Sequence, residues 1–286
     1  MILWRDGKFL PSGAIISADD RGYLLGDGVF ETILVKDGAP AFLAPHVERL
    51  NHGLSVLAFD RRIKGAEVIA ITQELAARSA IAGVAALRIT ITRSGGPRGL
   101  APPRHGADEH QMITLAPLSL HETPAPLSLV LSDCVRPGGA ATSSFKCIGA
   151  YGEHVAAKIF AQRRDADDAV MVNPFGRVAG CTAANLFVLD GGRLLTPPTG
   201  EGALPGVTRA VVIEEARAAG IVIKETPIDP QRLEGRRLLV TNSLIGVRRA
   251  QLGAPCADAA GDELARAVQS AYRYRLEREF DEAGGK

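Results

Sequence analysis

The chain has 286 residues, enough for a sizeable buried core and for two domains. Lys plus Arg is 33 and Asp plus Glu is 32, a formal charge of +1 that gives no electrostatic basis for binding nucleic acid or an acidic membrane. Four widely spaced cysteines (Cys134, Cys147, Cys181, Cys256) form no metal signature, and no apolar stretch is long and charge-free enough to span a membrane. The opening MILWRDGKFL has no basic region followed by a long apolar run, so no signal peptide is expected. A soluble cytoplasmic protein with reduced thiols is the expectation.

Met1 to Arg5 and Lys8 to Leu10 flank Asp6-Gly7, which predicts a hairpin. Gly26-Asp27-Gly28 predicts a tight turn into a strand from Val29 to Val35 that ends at Asp37-Gly38. Pro45 opens a helix through about Ser55, with Leu43, Val47, Leu50 and Leu54 as its apolar stripe. Arg49 falls away from that stripe, where an arginine is ordinarily solvated. His46 is expected to be structural. A second helix covers about 65–80. Residues 85–93 alternate Leu87, Ile89 and Ile91 against Arg88, Thr90 and Thr92, the pattern of a half-buried strand. Ser94 to Leu100 is a loop by composition. After a strand at 111–115, three prolines between Ala116 and Pro126 predict an interdomain linker. The expected domains are a smaller one, 1–120, and a larger one, 121–286.

In the second half, strands are expected at 127–131, 168–172, 186–189 and 238–241, and 194–198 leads into a loop at 199–206. Helices are expected at 151–163, with Val155, Ala156, Ile159 and Phe160 on one side, and at 208–218, with Val211, Val212 and Ala216 in the core. A final helix, 261–280, has Leu264, Val268, Ala271 and Leu276 as core positions. The mixture predicts an α/β (α+β mixed) protein.

Between Gly138-Gly139 and the helix at 151 lies Ser143-Ser144-Phe145-Lys146-Cys147-Ile148-Gly149. Of seven lysines, most sit beside Gly, Pro or charged residues or at the chain end, whereas Lys146 sits among small and apolar neighbours. A partly desolvated lysine has a lowered pKa and can act as an amine nucleophile; a plain surface lysine is the ordinary alternative. Gly206-Val207-Thr208 opens a helix whose free N–H groups and dipole can hold a phosphate, as any such cap can.

Five blocks, in order, resemble the fold-type IV pyridoxal-phosphate enzymes, the class IV aminotransferases. They are GYLLGDGVFET from Gly22, HVERL from His46, SSFK ending at Lys146, GRVAGCTAANLFV from Gly176 and LPGVTR ending at Arg209. The resemblance covers nearly the whole chain. It implies a two-domain fold and pyridoxal 5′-phosphate held by Lys146 as a Schiff base, with that lysine as catalytic base. It further implies phosphate binding by Arg49, Val207, Thr208 and the Asn242-Ser243 turn. Phe30, Glu31 and Arg98 are implied at the substrate. A small amino-bearing substrate and a homodimer follow from the same resemblance.

The chain departs from the family where a glutamate normally pairs with the pyridine nitrogen. That position is Gly180, with the downstream Asn185 in register. The enzyme works with an unpaired ring nitrogen, borrows a carboxylate such as Glu31, or binds cofactor with little turnover. Gly149 stands where relatives often have asparagine, Leu25 where they often have phenylalanine, and Leu100 follows Arg98-Gly99. The Arg98-Gly99 pair and the Asn242-Ser243-Leu244 turn resemble the aminodeoxychorismate lyase branch most. A transaminase of D-amino or branched-chain substrates is the alternative, and a low-activity cofactor-binding protein a third.

Overall fold

A computed structural model describes residues 2–11, 13, 16–95, 99–103, 107–119, 125–253 and 259–283. It divides into two units, one of residues 1–120, 145–150 and 279–286, the other of residues 121–144 and 151–278.

The first unit carries β1 (Ile2–Arg5), β2 (Lys8–Pro11), α1 (Arg21–Leu25), β3 (Gly28–Lys36), β4 (Ala39–Pro40), α2 (Leu43–Val56), α3 (Gly65–Arg78), β5 (Val84–Ser94) and β6 (Asp108–Pro117). Its six strands run in the order β2-β1-β6-β5-β3-β4, and every pairing is antiparallel. Alternation decides the faces. Val29, Ile33, Leu87, Ile89, Ile91 and Ile113 join the core with Leu50 and Leu54 of α2 and Val68 and Leu75 of α3. Phe30 and Thr32, paired with Thr90 and Arg88, share the opposite face. Strand β6 takes in Ala116 and Pro117, the first residues of the expected linker; residues 120–124 of that linker lie outside the described residues.

The lysine segment belongs to this unit by backbone pairing. Val29 and Cys147 form an antiparallel bridge, and the Phe30 N–H donates to the Lys146 carbonyl at 3.0 Å. The Gly149 N–H donates to the Gly26 carbonyl at 3.1 Å. Gly26 adopts φ +70°, and a Cβ there would lie 2.4 Å from Gly149 Cα. Both facts demand glycine. Gly26→Ala is therefore expected to cost roughly 1–3 kcal/mol, read as a lower urea midpoint. An unchanged midpoint would mean the lysine segment does not rest on this turn.

The second unit carries β7 (Leu127–Val135), α4 (Gly152–Gln162), β8 (Asp168–Val172), β9 (Val178–Cys181), β10 (Asn185–Asp190), β11 (Arg193–Thr196), α5 (Val207–Ala218), β12 (Ile223–Glu225), β13 (Leu238–Asn242), β14 (Gly246–Leu252) and α6 (Ala259–Ala283). Its eight strands form a mixed sheet in the order β12-β11-β10-β13-β14-β7-β8-β9. Val211, Val212 and Ala216 of α5 are buried as the pattern requires. Helix α4 corrects the expected face. Val155 and Ile159 are exposed, and His154, Ala157 and Ala161 are buried. The two alanines cluster with Ala169 and Met171, a close approach that bulkier side chains would prevent. On α6, Ala265, Val268 and Tyr272 are buried, whereas Leu264, Ala271 and Leu276 are half-buried. No helix among the described residues is long and apolar enough to cross a membrane.

Candidate active site

Phe145 and Cys147 point into the first unit's core, with Phe145 seated against Gly53 of α2, where a Cβ would come within 2.6 Å of its ring. Lys146 lies between these two core-facing side chains, in a turn that ends at the Cys147 bridge to Val29. Lys146 is half-buried, with Nζ 5.0 Å from the centroid of the Phe30 ring. The Arg88 guanidinium lies 4.0 Å from the same ring and is exposed. An amine and a guanidinium thus share one aromatic side chain on one sheet face. Sequence reading missed Arg88. Its signal was a cation on the polar side of a strand that alternates cleanly.

Arg49 is buried at 8 % exposure, so the ordinary solvated state of an arginine off an apolar stripe does not apply to it. Its partner is Glu31, bound through both oxygens: Nε to Oε1 at 2.7 Å and a terminal nitrogen to Oε2 at 2.8 Å. His46 Nδ1 lies 2.8 Å from the same Oε2. Burial alone would raise the Glu31 pKa, but the Arg49 charge and the His46 and Arg49 hydrogen bonds outweigh it and bring it to about 2. Burial pushes His46 down, more strongly than its bond to Glu31 raises it. Glu31 was expected at a substrate wall. It is 1 % exposed, and both carboxylate oxygens are engaged by Arg49 and His46.

A second buried cluster braces the glycine turn. Asp27 accepts from Arg21 at 2.8 Å and from Arg93 at 2.9 Å. Burial raises the Asp27 pKa, but these two arginines hold it below its ordinary value. Arg21 also donates to the carbonyls of Gly99 and Leu100. Arg98 itself lies outside the described residues.

In the second unit, α5 begins at Gly206 with no side-chain cap, and Val207 and Thr208 are buried. The Asn185 side chain occupies the space a Cβ at Gly206 would need, with Oδ1 only 2.0 Å away, and its Nδ2 donates to the Leu204 carbonyl at 2.8 Å. Asn185 pairs across the sheet with Thr241, whose buried Oγ1 has no hydrogen-bond partner among the described residues. Asn242 Oδ1 accepts from the Leu244 and Ile245 N–H groups at 2.9 Å each, and its Nδ2 donates to the Ala183 carbonyl at 3.0 Å. The Asn242 side chain is thus committed to shaping the turn. Ser243 follows it in that turn, half-buried. An uncapped helix start with an orphaned hydroxyl one strand pairing away suits a phosphate group.

Gly180 adopts φ +146°, and a Cβ there would lie 3.1 Å from the Ala184 carbonyl oxygen. The next residue, Cys181, is fully buried; burial, then the Asp168 charge, pushes its thiol well above the ordinary range. It offers no anion to a ring nitrogen. The uncapped α5 start and the Thr241 hydroxyl are compatible with a phosphate, and the Gly180 position lacks a carboxylate.

A half-buried lysine beside an aromatic ring in the first unit, and a helix start without a side-chain cap in the second, are each compatible with pyridoxal-phosphate chemistry. The family model described as "Amino-transferase class IV" matches residues 28–252, and the chain belongs to this family of pyridoxal-phosphate-dependent enzymes. A Methanocaldococcus jannaschii protein provisionally named a branched-chain-amino-acid aminotransferase is 31 % identical over 80 % of this chain and 79 % of its own. The bifunctional aminodeoxychorismate lyase / D-amino acid transaminase of Mycobacterium tuberculosis is 30 % identical over 77 % of this chain and 79 % of its own. In fold, the chain is similar to the branched-chain aminotransferase of Thermoproteus uzoniensis, with a TM-score of 0.88, 21 % identity and coverage of 99 % of this chain and 97 % of that one.

Proposed function

We propose that the protein is an aminodeoxychorismate lyase-like enzyme, releasing pyruvate and p-aminobenzoate. The observation that carries this reading is Gly180. Without a carboxylate there to keep the ring nitrogen protonated, electron withdrawal is weaker. Full transamination needs that withdrawal through both a proton removal and a proton return, whereas an elimination is driven onward by the formation of an aromatic product. Pyridoxal 5′-phosphate, when bound, supplies the aldehyde that takes up the substrate amine and the ring that draws electrons from its α-carbon.

The side chains take these roles. Lys146 Nζ would hold the cofactor and, when free, would take the proton from the carbon bearing the substrate amine. The Phe30 ring limits where Nζ swings. Arg88 takes a substrate carboxylate, for which its planar fork of donors is suited. Arg49, Val207, Thr208 and Ser243 hold the phosphate, with Glu31 positioning Arg49 and Asn242 shaping its turn. Arg98 is kept as a second carboxylate ligand on the family resemblance.

Incubation with aminodeoxychorismate should yield p-aminobenzoate and pyruvate in equal amounts, detected by fluorescence and a coupled assay. Fast keto-acid formation from D-alanine or L-leucine with no p-aminobenzoate would replace this reading with the transaminase one, which the Methanocaldococcus jannaschii relative favours. Arg88→Ala is expected to raise KM for the carboxylate substrate roughly 10- to 100-fold, the range for losing a charged hydrogen-bond pair. An unchanged KM would remove Arg88 from the substrate site.

A homodimer is part of the same proposal. Tyr23, Leu24 and Leu25 of α1, together with Leu100, are exposed at 77, 56, 46 and 84 %, and Arg21 ties the 99–100 backbone to that helix. Exposed apolar residues held together in this way favour a second copy as partner. Light scattering should give twice the chain mass, and Leu24→Glu should shift it towards one chain.

A further inference from the structure

Tyr272 of α6 is 5 % exposed and reaches the start of α5. Its phenol and the Thr208 hydroxyl are hydrogen-bonded to each other. Its ring packs on Gly246, where a Cβ would come within 2.9 Å of Tyr272 Cε1. Gly246, at φ +62°, opens β14 just after the Asn242-Ser243 turn. One side chain therefore touches both segments of the second unit to which phosphate binding is assigned. Burial pushes the phenol up to about 12, against the opposing pull of the Thr208 bond, so the group stays a neutral hydroxyl in ordinary buffers. A neutral phenol oxygen that accepts from the Thr208 hydroxyl can fix the Thr208 rotamer without placing a charge beside a phosphate dianion. A phenylalanine would fill the same volume, so the hydroxyl is what filling the core leaves unexplained.

We infer that Tyr272 is a positioning residue: through Thr208 and Gly246 it holds the α5 start and the 242–246 turn at the spacing a phosphate monoester needs. The inference rests on the reading of the α5 start as the phosphate end of the cofactor site.

The test is a titration of the full-length protein, stripped of cofactor, with pyridoxal 5′-phosphate and separately with pyridoxal, which has the same aldehyde and no phosphate. Tyr272→Phe should keep its melting temperature, lose roughly three- to tenfold in affinity for the phosphate form, and bind pyridoxal as the natural protein does. Equal weakening for both compounds, or none for either, overturns the inference. Combining Tyr272→Phe with Thr208→Val should cost no more than Thr208→Val alone, because the tyrosine acts through that hydroxyl. Additive losses also overturn it. If the natural protein does not prefer the phosphate form over pyridoxal, the underlying phosphate assignment falls, a result distinct from either outcome for Tyr272.

Discussion

Lys146→Ala is expected to lower turnover by about 10⁴-fold or more and to abolish the visible absorption of the protein-bound cofactor. The size follows from losing two functions together, the covalent hold and the proton transfer at the α-carbon, the second alone giving ~10² to 10⁴. The fold should survive. Phe145 and Cys147, not Lys146, supply the segment's buried contacts, and the Phe30 N–H bonds to the residue-146 carbonyl whatever its side chain. Borohydride reduction followed by peptide mapping gives an independent reading. The reduced cofactor should be found on the peptide containing Lys146. Attachment to Lys158 or another of the seven lysines would reassign the active site.

The second large effect is at Glu31. Glu31→Gln leaves the buried Arg49 guanidinium with a neutral partner, and breaking a buried pair from one side costs roughly 3–5 kcal/mol. In a chain of this size that is on the order of 10 °C in melting temperature. The acid dependence has a definite sign. Glu31 ionises at about 2 in the folded protein, below its ordinary 4.5, so its contribution is whole above 4.5 and disappears as pH falls from there towards about 2. His46, whose pKa is lowered, adds a loss in the same direction: below its ordinary 6.5 the unfolded chain accepts a proton that the folded site resists. Urea unfolding should therefore show a similar gap between natural protein and Glu31→Gln at pH 7 and 5 and a narrower one at pH 3.5. A gap that stays constant would mean the Glu31–Arg49 pair does not set the acid limit. Arg49 should also loosen in this variant, and on its proposed phosphate role cofactor affinity should fall alongside stability.

Much of the fold was legible because alternation and caps are local. The β5 pattern of Leu87, Ile89 and Ile91 against Arg88, Thr90 and Thr92 left only one way to face the core. The Asp6-Gly7 hairpin and the α5 start at Gly206 were equally explicit. What failed depended on partners distant in sequence. Arg49 looks solvated on a helical wheel; Glu31, 18 residues earlier and on a different element, helps make its burial tolerable. Val155 and Ile159 outrank Ala157 and Ala161 in hydrophobicity, yet the helix buries the alanines because its neighbour Ala169 leaves room for nothing larger. Strands β9 and β14 were passed over because Gly180 and Gly246 interrupt the pattern. The partial burial of Lys146 was legible from its apolar neighbours Phe145 and Cys147. Arg88 and Tyr272 were not, because each takes its meaning from a ring or a hydroxyl that folding brings to it.

The bridge from Val29 to Cys147 also bears on the order of events during synthesis. The emerging chain can pair β3 with β5 early, but the edge at Gly26–Gly28 and the slot over Gly53 wait for residues 145–150. The Phe42 N–H at the start of α2 waits longer still, for the Glu279 carboxylate 237 residues later, which accepts its bond at 3.0 Å. Closing spans of this length is slow, and amino-terminal units ordinarily finish first on the ribosome. Here the amino-terminal unit is among the last parts completed. A nascent chain halted after β6 would display an unfinished sheet edge to chaperones, and the reactive amine would take its place only once the lysine segment had returned to that edge.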